Sequence, residues 1–163
     1  MSTSTITYQA RPSIVSQVTD FIELTKPKIA VLVLVTVAVA GFVASWGQPD
    51  LWLLLHSLIG TALVASSASA LNQWLERESD ARMERTANRP LPAGRLSVAQ
   101  VVGFGVVTIL FGTVYTLLTL GWTTTFISLV TWASYVWVYT PLKSRSSLNT
   151  AVGALAGPLP VLI

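Results

Sequence analysis

Every lysine and arginine of this chain falls in alternate gaps between long apolar stretches, and that arrangement leaves few folds open. The stretches are Ile29–Trp46, Leu51–Leu71, Val98–Leu120, Trp122–Tyr139 and Leu148–Ile163. A helix that crosses the hydrocarbon core needs about 20 apolar residues, within a range of roughly 17–25. The first four stretches meet that length, and the fifth runs to the last residue. Arg11, Lys26 and Lys28 precede the first stretch. Arg77, Arg82, Arg85, Arg89 and Arg95 separate the second from the third, and Lys143 and Arg145 separate the fourth from the fifth. These are all 10 basic residues, and successive crossings put every one on the same side. The other side receives only the turns Gly47–Asp50 and Gly121-Trp122. The positive-inside rule makes the basic side cytoplasmic, the N terminus included. The expectation is an all-α polytopic transmembrane bundle of four complete spans and a fifth cut short.

Composition agrees. Hydrophobic residues make up 52% and charged residues 10%, against roughly 25% charged in a soluble domain. The net charge of +3 reflects the one-sided basic loops. No basic stripe interleaved with aromatics exists, so no nucleic-acid partner is expected. With no cysteine, disulfides, thiolate catalysis and cysteine metal sites are excluded. Residues 1–23 read as a polar cytoplasmic tail and 24–163 as the transmembrane domain, with Asp20–Lys28 as a short interfacial segment. A bacterial cytoplasmic membrane is the expected location. A mitochondrial inner membrane is second, because Met1–Gln17 carries no acid but only one arginine.

Ala62, Ser66 and Ala70 recur every four residues in the second span, as Gly153 and Gly157 do in the fifth. Such stripes let helices approach closely in lipid. Pro158 and Pro160 would break the fifth span near mid-membrane. Trp46, Trp52, Trp74 and Trp122 suit membrane interfaces, and Trp132 and Trp137 are expected to pack inside the bundle. The apolar end Pro160–Ile163 leads to the expectation of a longer polypeptide.

The chemistry lies at the polar end of the second span, in Asn72-Gln-Trp-Leu-Glu76-Arg-Glu-Ser-Asp80. Asn72, Glu76 and Asp80 stand at i, i+4 and i+8, on one face of a helix. Two carboxylates so placed repel unless something positive lies between them. A hard divalent cation, which takes oxygen ligands from carboxylates and substrate phosphates, suits that place. Glu78 points to the other side. The following run, Arg85-Thr-Ala-Asn-Arg89-Pro-Leu-Pro-Ala-Gly-Arg95, supplies arginines able to fork phosphate oxygens. The pattern reads as a metal–diphosphate site.

Tyr139 and Lys143, four apart where the fourth span ends, emerge on the same side of the membrane. A Tyr–Lys pair there can be an interfacial anchor. Beside the acidic motif, a lysine that donates to a diphosphate leaving group is the stronger reading. His56, the single histidine, lies about 24 Å along the helix from Asn72 at 1.5 Å per residue. It is expected to be structural.

These motifs resemble the UbiA superfamily of intramembrane prenyltransferases, whose first signature is Asn-x-x-x-Asp-x-x-x-Asp followed by Arg-Thr-x-x-Arg-Pro. Within it the likeness is to the haem-farnesylating branch. It rests on Leu24-Thr-Lys-Pro-Lys-Ile29, Met83-x-Arg-Thr86, and Tyr139-Thr-Pro-Leu-Lys143 leading into Leu148-Asn-Thr-x-Val-Gly153. Glu76 stands where the superfamily more often has Asp, and Pro158 where Ala is expected. The superfamily's second acidic motif has no counterpart here.

The resemblance implies that Mg²⁺, held by Asn72, Glu76 and Asp80, bridges the diphosphate of farnesyl diphosphate. It implies that Arg85, Arg89, Lys143 and Lys26 neutralise the leaving charge, with Lys143 and Tyr139 catalytic. A vinyl carbon of protohaem IX captures the farnesyl cation and water completes haem O, which passes toward terminal oxidase assembly. Prenylation of a quinone-precursor ring is the alternative within the superfamily. Outside it stand a small dimeric transporter and a non-catalytic fragment. Without an opposed second motif, the 163-residue chain alone is expected to have no transferase activity.

Overall fold

The computed structural model describes residues 14–143, and these form helices joined by short connections, except for the longer loop 83–97. The helices are α1 (Ile14–Leu24), α2 (Pro27–Ala44), α3 (Leu51–Arg82), α4 (Val98–Leu120), α5 (Trp122–Ala133) and α6 (Thr140–Lys143). A π-helical segment, Ser134–Tyr139, joins α5 to α6. Among the described residues there is no strand. The fifth stretch Leu148–Ile163, with Gly153, Gly157, Pro158 and Pro160, lies outside the described residues, as do Arg11 and Arg145.

Among the described residues three helices are long and apolar enough to cross a membrane: α2, α3 and α4. Their starts follow from local chemistry. Pro27 opens α2 at a position where its missing N–H costs nothing. Asp50 caps α3 by accepting from the backbone N–H groups of Trp52 and Leu53. Ser97 and Gln100 form a capping box at the start of α4. At Gly121, with φ 85°, the chain turns back into α5. The fourth expected span is helical from Trp122 to Lys143, but its hydrogen-bond register changes at Ser134.

The second span is longer than its apolar stretch. Its 32 residues extend about 48 Å at 1.5 Å each, against a hydrocarbon core of about 30 Å. The surplus is the polar end, from Leu71 to Arg82, and it carries the acidic motif clear of the apolar layer.

Helix α4 packs along α3, and the contact face differs from the expected stripe. Gly60, Val64, Ser67, Ala70 and Leu71 are buried, whereas Ala62 and Ser66 are only half-buried. Glycines on both helices permit the approach. A Cβ at Gly105 would lie 2.9 Å from Leu71 Cγ, and one at Gly60 would lie 2.5 Å from Thr116 Cγ2. Ser67 Oγ donates to the Gly105 carbonyl at 2.7 Å and accepts from Trp132 Nε1 at 3.0 Å. Trp132 therefore packs inward as expected, while Trp137 is 54% exposed and faces outward. Trp46, Trp52 and Trp122 are also exposed.

Residues 14–20, expected in a polar tail, form most of α1. Leu24 on α1 packs with Ala70, Leu91, Leu96 and Val101, flanked by Phe21, Trp74 and Phe104. This apolar cluster lies at the polar end of the bundle and fastens the loop between α3 and α4.

Candidate metal–diphosphate site

Asn72, Glu76 and Asp80 share one face of α3, as their spacing predicts. Asn72 is 2% exposed and Asp80 1%, and the Glu76 side chain 14%. Each oxygen-bearing side chain meets a cation from a different part of the chain. Lys26, between α1 and α2, donates from Nζ to Asn72 Oδ1. Lys143 Nζ lies 3.1 Å from Glu76 Oε1. Arg89 Nη1 lies 2.5 Å from Asp80 Oδ2.

Local structure explains each arrival. Lys26 adopts φ 53°, ψ 63°, the left-handed region that ordinary side chains avoid. It ends α1 there, and Pro27 after it disfavours the right-handed helical alternative. Burial lowers the Lys26 ammonium from its ordinary 10.5 to about 8. Arg89 pushes it the same way, Glu76 and Asp80 oppose, and Lys143 lowers it further. Arg89, Glu76, Asp80 and Lys143 thus all lie within electrostatic reach of Lys26. Arg89 is delivered by a tight loop in which Thr86 Oγ1 donates to the Asp80 carbonyl at 2.8 Å. Lys143 is delivered by α6, one turn beyond Thr140.

Other candidates take different positions. Arg85 is exposed and has no ion-pair partner among the described residues. Tyr139 stacks on Tyr135, ring centroids 5.4 Å apart, and its hydroxyl bonds none of the acidic groups among the described residues. Arg95 is committed elsewhere: it pairs with Asp20 and with Glu23 of α1, the latter at 2.7 Å, and donates to the Asn88 carbonyl. It is a structural clamp, not a third phosphate fork. Glu78 pairs with Arg77 at 3.5 Å on the open side. His56 Nδ1 bonds Tyr115 Oη at 2.6 Å and meets Trp52 edge-on, consistent with a structural role.

Two neighbours of the motif carried no signal in the sequence. Gln73, 1% exposed, donates from Nε2 to the Leu24 carbonyl at 3.0 Å and ties α3 to α1. Thr140, 3% exposed, accepts from Asn72 Nδ2 at 3.2 Å. A plain α-helix pairs Tyr139 with Lys143 on one face. The π-helical segment changes that phase, and Thr140 meets α3 in place of Tyr139.

No group of three His, Cys, Asp or Glu among the described residues stands as a ready metal site. The donor set is an amide oxygen and two carboxylates, the hard oxygens a hard dication prefers. Their oxygens are bonded by cations, of which the Lys143 side chain is 49% and that of Arg89 27% exposed. The residues therefore fit a divalent ion that exchanges places with the cations.

A membrane-embedded helical bundle with an amide, two carboxylates and three opposing cations at its polar end defines a class. Residues 33–163 match the model of the UbiA prenyltransferase family, and the chain belongs to it as an integral membrane protein. It is 43% identical over 153 residues to the protoheme IX farnesyltransferase of Solibacter usitatus, covering 88% of this chain and 52% of that protein. Identity to the protein of the same name from Rhodopirellula baltica is 44%, over 87% of this chain and 50% of the relative. For that of Anaeromyxobacter sp. strain Fw109-5 it is 39%, over 100% and 55%. The chain spans about half the length of these curated relatives. No solved structure matches it.

Proposed function

We propose that this chain supplies the metal- and diphosphate-binding part of a protohaem IX farnesyltransferase in a bacterial cytoplasmic membrane. The observation that carries the reading is the convergence of Lys26, Arg89 and Lys143 on Asn72, Asp80 and Glu76. The names of relatives about 40% identical over most of this chain support the choice of substrates.

Asn72, Glu76 and Asp80 would hold Mg²⁺, which would supply positive charge to the diphosphate leaving group of farnesyl diphosphate. Lys26, Lys143 and Arg89 then turn to the diphosphate oxygens, joined by the exposed Arg85. Their charges stabilise the diphosphate as the allylic C1–O bond breaks. Thr86 holds the Arg89 loop to the end of α3, and Tyr139 and Tyr135 wall the site. A haem vinyl carbon captures the farnesyl cation, water adds to the resulting cation with loss of a proton, and haem O leaves toward oxidase assembly. The apolar helices limit water near the allylic cation. Residues 24–163 form the N-terminal half of the prenyltransferase domain, with the basic loops and N terminus cytoplasmic.

The test is haem O formation, read by chromatography, in membranes supplied with haem, farnesyl diphosphate and Mg²⁺. The chain is expressed alone and together with the unmatched half of the Solibacter relative. Product is expected only from the pair, with Asp80→Asn reducing it at least 100-fold and Glu78→Gln leaving it within about threefold. Equal losses in both variants would sink the metal-face assignment.

A further inference from the structure

Four polar groups form a line through the site in which every hydrogen bond runs the same way. Lys26 Nζ donates to Asn72 Oδ1. Asn72 Nδ2 donates to Thr140 Oγ1 at 3.2 Å. Thr140 Oγ1 donates to the Tyr135 carbonyl at 2.8 Å. The ends of this line dictate its direction. An ammonium can only donate and a backbone carbonyl can only accept. The threonine proton is committed to Tyr135, so its remaining lone pairs face Asn72 and require the amide nitrogen there.

The π-helical segment makes this possible. The Thr140 backbone N–H bonds the Tyr135 carbonyl five residues back, so the carbonyl and the hydroxyl lie together. Such single-segment π-helices are rare and occur often at functional sites. Asn72 and Thr140 are 2% and 3% exposed, so water does not compete for either group.

We propose that Thr140 is a positioning residue: its hydroxyl, oriented by the π-helical carbonyl of Tyr135, holds the Asn72 amide with its oxygen toward the cation site. Without Thr140 only the Lys26 ammonium holds the amide, and once that cation gives way to another the amide is free to flip, so that a nitrogen that repels cations faces the site for part of the time. The orientation stands on the geometry alone; its consequence for metal binding rests on the function proposed above.

The experiment uses the 163-residue chain in detergent, with two readouts. The first is hydrogen exchange of the Asn72 side-chain amide by NMR, which needs no metal. The second is Mn²⁺ affinity by paramagnetic resonance, with Mn²⁺ as a probe of the oxygen donors. Thr140→Val should speed exchange of the Asn72 amide and weaken Mn²⁺ binding about tenfold, the lower end expected for loss of a group that orients a ligand. Thr140→Ser should restore both. In Asn72→Asp the two oxygens are equivalent and no amide needs orienting, so adding Thr140→Val should change Mn²⁺ affinity less than twofold. An Asn72 amide whose exchange is unaffected by Thr140→Val overturns the proposal. So does an equal loss of Mn²⁺ affinity in the Asn72→Asp background. Faster exchange in Thr140→Val, with no Mn²⁺ bound even by the unaltered chain, upholds Thr140 as the positioning group and overturns the metal reading.

Discussion

Arg89 Nη1 sits 2.5 Å from Asp80 Oδ2, and the two partners differ in burial: the carboxylate side chain is 2% exposed and the guanidinium 27%. The acid is committed to the site whether or not a ligand is present, while the arginine keeps a route to solvent. Glu76 and Lys143 repeat the asymmetry, at 14% and 49%. In both pairs the cation is the group free to leave.

Removing the Asp80 charge therefore strands Arg89 against a neutral amide. Breaking a buried pair costs about 3–5 kcal/mol. Arg89 can recover part of its hydration, so Asp80→Asn is expected to cost about 2 kcal/mol. Glu78→Gln, at an exposed pair, should stay below about 0.5 kcal/mol. Unfolding of each variant in detergent, followed by circular dichroism, measures the difference. Matching losses would contradict the buried-face assignment.

Arg95 fastens α1 through Asp20 and Glu23. Asp20 is 4% exposed, so Arg95→Ala leaves a buried carboxylate without its cation. Amide exchange across Ile14–Leu24 should rise on the order of tenfold, equivalent to about 1.4 kcal/mol of lost local stability. Arg95→Lys should recover only part, because an ammonium lacks the fork that reaches both acids. Exchange mass spectrometry on the detergent-solubilised chain reads this directly. Unchanged protection of α1 would show that its apolar contacts suffice.

The α3–α4 contact predicts opposite outcomes for two glycines on opposite sides of one turn of α4. At Gly105 an added Cβ meets Leu71 at 2.9 Å, whereas at Gly103 nothing lies within 4 Å. Gly105→Ala should destabilise by about 1–3 kcal/mol through overpacking. Gly103→Ala should be neutral or stabilise by up to about 1 kcal/mol through helix propensity. Thermal unfolding of the pair is the comparison, and a loss at Gly103 would argue that its open face is occupied.

Topology can be tested without background because the chain has no cysteine. Single cysteines at Ser79 and Gln48, both exposed, lie at opposite ends of the α2–α3 pair. With an impermeant maleimide on intact cells, Gln48→Cys should label and Ser79→Cys should label only after lysis. The reverse pattern would invert the assigned orientation.

Much of this is legible in the sequence. The limits of α4 and the Asn72–Glu76–Asp80 face follow from patterns that local physics controls: apolar length and the helical repeat. The structure adds the capping box at Ser97 and the aspartate cap at Asp50, short-range chemistry at the starts of both helices. Family membership was legible for the same reason, since its motifs are contiguous in the chain.

The partners of those residues were decided by the tertiary structure alone. Charge pattern shows that Lys26, Arg89, Arg95 and Lys143 lie on one side of the membrane, but not which acid each meets. Arg95 goes to α1 because that helix begins at Ile14 and brings Asp20 and Glu23 against the loop. Thr140 replaces Tyr139 at the motif because a π-helical segment changes the phase of the chain. Neither event has a local signature in composition or spacing. A hydrophobic repeat reports which face of one helix is buried; which groups meet across the gap depends on how separate helices settle against one another.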